Sequence, residues 1–540
     1  MDKNEIPNMK SNKYRSTKVI TFVFCMLFFL IFAIIDGPVI CVDSESYITM
    51  DLSREPIYPL FLAFFRKILG SESLLYGEPA YLFAAVLAQS IIWGFAVWKL
   101  GMLVFDETMR QVTSNSSDSN LNDSKNISNT CDSKSGANNK KAYIFMVITI
   151  IMQFLVCLLN RFAAGRGSMY SESIMTESLA MPIFLLFCIS LYKCIRFDKA
   201  ARLSKGVSFD IPDCKIRDLK KHLEYEKKTR IKNSKNFLLL LLEIFILISI
   251  RKQMAICLII AALIFFLYYL CKKNTRNIKR FVISFICLAI VFESCKLFDM
   301  GYNYILRGRA VEHTGNGKAV FCNLMFCANA DDAQLFDSYG YPELKDLFTS
   351  LITECKSAGL LYDDMPSDLS IMEMADFYAD SYDIIGFNIA MPIIFNYIDA
   401  NFQGLDEISR QLKYDEIMNE INDVLMHEDM RPVMQMYIVN VISALVTSNA
   451  RSVDILVVPS FAIYFLFILL YICMIKNKMA NQKLFAEISF LGIVINSLVV
   501  AALIFPQPRY MIYSMGMFYA SLIMMMFCFA SFKLAGDVRK

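Results

Sequence analysis

The chain has 540 residues, 56% of them hydrophobic and only 19% charged, with mean hydropathy +0.44. A soluble protein carries about a quarter charged residues, and 44 Phe and 31 Met against 20 Gly and 14 Pro exclude a disordered, collagen-like or low-complexity chain. Lys plus Arg number 54 and Asp plus Glu 51, so overall charge leaves no footprint for nucleic acid. The reading is an all-α integral membrane protein, and most of its 16 Cys sit in apolar runs, where a thiol behaves as a small hydrophobe.

A bilayer core takes about 20 mostly apolar residues per helix. Ten stretches approach that length: 18–35, 79–104, 142–159, 178–195, 236–250, 254–271, 281–297, 454–474, 484–505 and 510–532. The fifth is short and holds Glu243, and the seventh holds Glu293. After the first, YPLFLAFFRKILG at 58–70 is too short to span and reads as an amphipathic helix on the outer surface. Lys and Arg gather in the N-terminal tail, in 105–141, 193–235, 272–280 and 475–483, and at the C-terminus. The positive-inside rule makes these segments, and both termini, cytoplasmic. No small-residue cleavage site directly follows the first helix, which therefore reads as a retained anchor. The Ile, Lys and Asn-rich composition adds a bacterial cell membrane as the expected location.

The expected organisation is a membrane domain at 1–297 with its first outer loop at 36–77, an extracytoplasmic helical domain at 298–452, and C-terminal membrane helices at 453–540. Residues 112–140, rich in Ser, Asn and Asp, read as a flexible cytoplasmic linker whose N-x-S triplets face away from any glycosylation machinery. The basic stretch 196–235, with KKHLEYEKK helical, reads as an anchor near anionic lipid. Residues 298–452 carry 24 acidic and 9 basic residues, and DLSIMEMADFYADSYDIIGF and LDEISRQLKYDEIMNEINDVL place apolar residues at helical spacing. Cys322, Cys327 and Cys355 there read as buried free thiols. His222, His313 and His427 are too scattered for a His-based zinc site, and GNGK at 315–318 lacks the P-loop spacing.

The first outer loop, IIDGPVICVDSESYITMDLSREPIYPLFLAFF, sets Asp36 and Asp43 just past the first helix and Arg54 ahead of Pro56, Tyr58 and Pro59. An acid there can take a proton or hold a divalent cation, and an arginine fork can clamp a phosphate. The same residues also suit a polar turn leading into the surface helix.

D-S-x-S-Y-I followed by R-x-P-x-Y-P-L-F-L-A resembles the first-loop signature of the GT-C superfamily, polytopic glycosyltransferases that use lipid-phosphate sugars and include the protein O-mannosyltransferases and lipid A aminoarabinose transferases. IMTESLAMPIFLLFCISLY at 174–192 is similar to that family's segment opening the fourth helix, and FPQPRYMIYSMGMFYASL at 505–522 to its R-Y start of a late helix. All three fall on the outer face by the charge rule. The W-W-D triplet of oligosaccharyltransferases is missing from the chain.

The resemblance implies that Asp43 is a general base toward the acceptor or a contact for a divalent metal, with Asp36 a competing candidate closer to the first helix. Glu177 fills the family's acidic position, or is simply a first-turn acid favourable to the helix dipole. Arg54 and Tyr58 would shape the donor pocket. Arg509 and Tyr510 fill the R-Y motif, or anchor the helix at the interface. Arg251 and Lys252, in the tight outer turn between the fifth and sixth helices, suit a lipid phosphate or snorkel to the interface. The implied activity is glycosyl transfer from a polyprenyl-phosphate sugar to an extracytoplasmic glycan, cell-wall polymer or protein, with a divalent metal the one cofactor in view. A surface-polysaccharide polymerase or ligase, and a multi-pass transporter or flippase, are the alternatives. Transport calls for broken helices and polar residues at mid-membrane, whereas Glu243, Glu293 and Glu487 are isolated or near segment ends. The observation that separates these readings is whether Asp43, Glu177 and Arg509 converge beneath the outer segment.

Overall fold

The structure, a computed structural model, describes residues 8–119, 131–163, 167–203, 234–270, 275–427, 429–476 and 480–537. The first part contains α1 (Asn8–Asp36), α2 (Ser44–Ile48), α3 (Ile57–Leu69), α4 (Ala80–Ser119), α5 (Cys131–Ala163), α6 (Glu177–Leu203), α7 (234–250), α8 (Ile256–Tyr269) and α9 (Thr275–Arg307). A second group follows: α10 (Asn316–Cys327), α11 (Ala333–Ser338), α12 (Lys345–Ser357), α13 (Ile371–Asp383), α14 (Met391–Asn401), α15 (Glu407–Leu425) and α16 (Arg431–Thr447). The chain ends with α17 (Val457–Lys476), α18 (Ala480–Leu503), the short α19 (Pro508–Met511) and α20 (Met515–Asp537).

Nine described helices carry stretches long and apolar enough to cross a membrane, and they coincide with nine of the ten expected segments. The chain is a multi-pass membrane protein. Segment 236–250 is the exception, because α7 is too short to count among the nine and buries Glu243. It still runs between the two ends of the bundle: Phe237 at its start meets Phe265 near the end of α8, with ring centroids 6.1 Å apart, while Arg251 after its close pairs with Glu177 at the start of α6.

Burial separates inner from outer helices. The apolar stretch of α6 is 89% buried, against 22% for those of α1, α9 and α17, so α6 is wrapped by neighbours and the other three form the rim. Ile20, Phe24 and Ile31 on α1, Ile283, Ile286 and Ile290 on α9, and Phe465 and Ile472 on α17 stay exposed. Such rows of large apolar side chains suit hydrocarbon. Within the bundle α4 packs against α1, α5 and α6. A Cβ at Gly94 of α4 would stand 3.0 Å from the Cys25 carbonyl oxygen of α1, so the missing side chain permits this close crossing.

Helix limits refine several expected segments. The surface segment 58–70 is indeed a separate short helix, α3, burying Tyr58, Pro59 and Leu62 and exposing Phe64 and Ile68. The domain boundary at 298 falls inside a helix, because α9 continues to Arg307 and stops only at Gly308, whose φ is +72°. The linker 112–140 is described at its two ends only, and both are helical extensions of α4 and α5; KKHLEYEKK lies outside the described residues.

The helices α10 to α16 enclose a second core, built on Phe321, Phe326, Phe336, Phe348, Tyr378 and Ile417. Side-chain caps mark the starts of α13 and α15, Asp406 Oδ1 accepting from Ser409 N at 2.9 Å at the latter. At α13, Ser370 Oγ accepts from Glu373 N at 3.3 Å while Glu373 Oε2 accepts from Ser370 N at 2.8 Å, a reciprocal capping box. α13 then passes into a π-helical stretch, Ile384–Ala390, before α14. Pro392 near the start of α14 has no N–H to continue the α ladder, which suits the wider turn. Among the described residues there is no disulfide, and Cys322 and Cys355 are buried thiols. The group seats on the membrane helices through α16 against α18, and through Asn323 Nδ2, which donates to the Ala502 carbonyl at 2.9 Å.

Gly37 stops α1 and starts the first loop: its φ is +67° and its N–H returns to the Ala33 carbonyl at 3.0 Å. A Cβ there would lie 2.7 Å from the Tyr76 ring. Gly37→Ala is expected to lose at least about 1–2 kcal/mol through the left-handed backbone alone, read as a lower thermal midpoint in detergent.

Candidate functional site

The first outer loop is held by the segment preceding α6. Val39 N donates to the Glu172 carbonyl at 3.0 Å and Ile174 N to the Val39 carbonyl at 2.9 Å, a single parallel bridge between Val39 and Ser173. Ser44 Oγ donates to the Ile174 carbonyl at 2.7 Å. From α4, Gln89 Nε2 donates to the Ser171 and Ser173 carbonyls at 2.8 and 3.1 Å, and Trp93 Nε1 to the Ser178 carbonyl at 2.7 Å. Two irregular segments are thereby fixed on buried donors, and each carries a carboxylate into place.

Asp43 is gripped on both oxygens. Arg54 Nη2 donates to Oδ1 and Arg509 Nη1 to Oδ2, each at 2.9 Å. Arg54 is aimed by Ser46 Oγ at 2.7 Å and Tyr47 Oη at 3.1 Å. Glu177, almost wholly buried, forms an ion pair with Arg251, and Arg509 Nε lies 3.9 Å from the same oxygen. The Tyr510 ring sits between two guanidinium groups, with Arg251 4.4 Å and Arg509 4.8 Å from its centroid. Its hydroxyl accepts from Arg509 Nη2 at 2.8 Å. Three guanidinium groups thus meet two carboxylates and leave one positive charge in excess. Burial works to raise the Asp43 carboxyl, but Arg54 and Arg509 outweigh it and hold it below the usual range.

The expected residues therefore divide. Asp43, Arg54, Glu177, Arg251, Arg509 and Tyr510 are brought together. Asp36 goes elsewhere, pairing with Arg161 beside the buried Glu172, whose Oε2 accepts from Met169 N at 2.8 Å. Tyr58 is fully buried, stacked edge-on to Tyr47 with centroids 5.2 Å apart, and accepts from Ser178 Oγ at 3.4 Å. Lys252 turns from the cluster toward Glu312, 3.6 Å away, while its N–H donates to Glu55 Oε1 at 2.6 Å. A divalent metal at Asp43 does not fit these surroundings, because both oxygens already face cations. Among the described residues no group of three or more His, Cys, Asp or Glu side chains is gathered as a metal set.

Tyr47 is the tyrosine of D-S-x-S-Y-I but has no role assigned from sequence, while Glu172 and Arg161 carry no motif and read as ordinary loop or helix residues. Lys318, the last residue of GNGK, and Asp383 belong to the second helical group and lie within electrostatic reach of the cluster, Lys318 of Arg54 and Asp383 of Arg509 and Asp43. His313 Nδ1 meets Asp299 Oδ2 at 2.6 Å, tying the start of that group to the end of α9. A cavity of about 580 Å³ between α8, α17 and α18 is lined by Tyr268, Tyr471, Lys483 and Glu487 and includes none of the cluster residues.

Glu177→Ala is expected to destabilise the folded chain by about 3–5 kcal/mol, because it strands the Arg251 guanidinium in a buried setting. Adding Arg251→Ala should recover part of that loss in detergent unfolding, a non-additivity that unpaired residues would not give. Burial raises the Glu172 carboxyl, and Asp36 beside it adds to the effect. The folded state then keeps this proton to higher pH than the unfolded chain, so its contribution is complete below the ordinary Glu range and is lost as pH rises toward the raised value. Glu172→Gln should flatten the melting midpoint between pH 5 and 8, within the window from the ordinary to the raised value.

Comparison with protein-family models, curated proteins and solved structures gives no match for this chain.

Proposed function

We propose that the chain is a multi-pass membrane glycosyltransferase that moves a sugar from a polyprenyl-phosphate donor to an acceptor on the extracytoplasmic face. The observation that carries this reading is the convergence of Asp43, Arg54, Glu177, Arg251 and Arg509, drawn from four separate chain segments, at one end of the helix bundle and beside the second helical group. The nine apolar helices supply the lipid setting such a donor needs. Sidedness rests on the Lys and Arg bias of the loops.

The chemistry suits the charges. Cleaving the bond from the anomeric carbon to the phosphate oxygen puts negative charge on the leaving group. Preset cations in a water-poor site stabilise that charge without reorganisation. Arg54 and Arg509 keep a quarter and a fifth of their side chains exposed, at 25% and 19%, so their forks remain reachable by a phosphate at the membrane surface. Asp43 and Glu177 act as positioning residues that hold the three guanidinium groups together without their repelling one another apart. The acceptor is a glycan, cell-wall polymer or protein reaching the site past the second helical group.

The test is donor turnover by purified chain in detergent, using a radiolabelled panel of polyprenyl-phosphate sugars. Wild type is expected to consume at least one donor, and Arg509→Ala to slow that reaction by about 100-fold or more. Arg509→Lys should remain slow, because an ammonium cannot reproduce the planar fork. Consumption of a diphosphate-linked oligosaccharide alone would identify a polymerase or ligase instead. Failure to bind or consume any donor would move the reading toward transport.

A further inference from the structure

At the opposite end of the bundle from the arginine cluster, α8 and α17 both pack on α18, and the cavity of about 580 Å³ lies between the three. Its place follows from the chain. Arg251 and Lys252 lead into α8 and Tyr268 lies at its close, while Lys483 and Glu487 sit in the first two turns of α18, whose far end leads on to Arg509. One carboxylate organises the polar part. Glu487 Oε2 accepts from Tyr268 Oη at 2.6 Å, Oε1 accepts from Tyr471 Oη at 2.5 Å, and Lys483 Nζ stands 3.4 Å from Oε1. A carboxylate has about four lone-pair sites and an ammonium three donors, so these contacts use up neither charge. The Lys483 side chain is 35% exposed. Ile468 on α17 and Phe490 on α18, each about one turn further into the bundle than Tyr471 and Glu487, line the apolar part, and Leu267 and Ile468 keep exposed surface at its edge. Tyrosines level with a lysine mark headgroup depth, with hydrocarbon beyond them, and the volume is that of a ligand site.

We infer that this cavity holds one membrane phospholipid with a zwitterionic, primary-ammonium headgroup, of the phosphatidylethanolamine class. Its phosphate meets Lys483, its ammonium takes the remaining acceptor position on Glu487, and one acyl chain lies along Ile468 and Phe490. Charge complementarity selects this occupant, because the cavity offers one cation and one anion side by side. An anionic headgroup would satisfy Lys483 and set its net negative charge against Glu487. A quaternary ammonium has no N–H to give a carboxylate, and charge-assisted hydrogen bonds are the strong ones. The Lys and Arg of 272–280 and 475–483, which flank this end of α8, α17 and α18, put the lipid in the cytoplasmic leaflet. The site is separate from the arginine cluster and does not depend on the glycosyltransferase reading.

The test is native mass spectrometry of the full, delipidated chain in detergent, titrated with phosphatidylethanolamine, phosphatidylglycerol or phosphatidylcholine of identical acyl chains. Wild type should bind one phosphatidylethanolamine about tenfold or more tightly than either of the others. Lys483→Met should weaken that binding about tenfold, and Glu487→Gln should bring the three lipids to within about threefold of one another. Ile468→Trp, at an exposed position that leaves both charges in place, should fill the apolar part and abolish the tight binding while the chain still elutes monodisperse. Equal binding of the three lipids by wild type would overturn the inference. So would tighter binding of phosphatidylglycerol, which would make this a site for anionic lipid. Tight binding that survives in Ile468→Trp would overturn it too, by placing the lipid on the outer belt of the bundle. Where Lys483→Met or Glu487→Gln loses monodisperse elution, the wild-type lipid preference and Ile468→Trp decide between these outcomes.

Discussion

Arg509 is the single side chain on which the arrangement depends. It reaches Asp43, 466 residues earlier in the chain, and faces Glu177 as well. Ionised groups at the edge of an apolar bundle cost several kcal/mol each if left alone, so their mutual pairing is a requirement before it is a function. Satisfying it fixes the first loop, the start of α6, the turn after α7 and the start of α19 relative to one another. A guanidinium can do this because its five donors lie in one plane and serve several acceptors at once. The aromatic faces of Tyr47 and Tyr510 complete the enclosure, since each lies beneath a guanidinium.

Much of the bundle is legible in the sequence for a simple reason: apolar runs near bilayer length have few other uses. Where polarity enters, legibility drops. α7 carries Glu243 within a short run, and length alone does not decide it. The far end of α9 reads as the start of the outer segment because FDMGYNYILR mixes polar and apolar residues, yet no residue before Gly308 breaks the helix. The site shows the same division. Asp43, Glu177 and Arg509 stand out through local patterns, and the fold gathers them. Asp36 and Asp43 are equally acidic and close in sequence, but the turn at Gly37 and the bridge at Val39 send one toward Arg161 and the other toward Arg54. No spacing rule encodes that parting. Tyr58 shares the motif of Arg54 and is nevertheless interior, because its ring packs against Tyr47 and its hydroxyl meets Ser178. Lys318 sits in GNGK, which lacks the spacing of a phosphate loop, and Asp383 is one of 24 acids in its segment, so neither is legible as lying near the cluster.

The second helical group contributes more than cover. Its composition is strongly acidic, 24 acidic against 9 basic residues over 298–452, while the cluster beside it carries an excess positive charge. The two surfaces attract, and the contacts that seat the group, Asn323 on Ala502 and His313 on Asp299, are short and directional. Attraction of this kind aligns faces, and hydrogen bonds set the register.

The π-helical stretch Ile384–Ala390 acts as a phase shifter. Each residue absorbed beyond α periodicity turns everything after it by about 100° about the axis. Asp383 lies just before this stretch, and Phe387 lies inside it. The azimuth between the acid and the aromatic platform of Lys318 is therefore written in a count of residues, not in their identities. Removing one residue from the stretch would keep every side chain chemically intact and still rotate α14 against α13, as a gear slipped by one tooth.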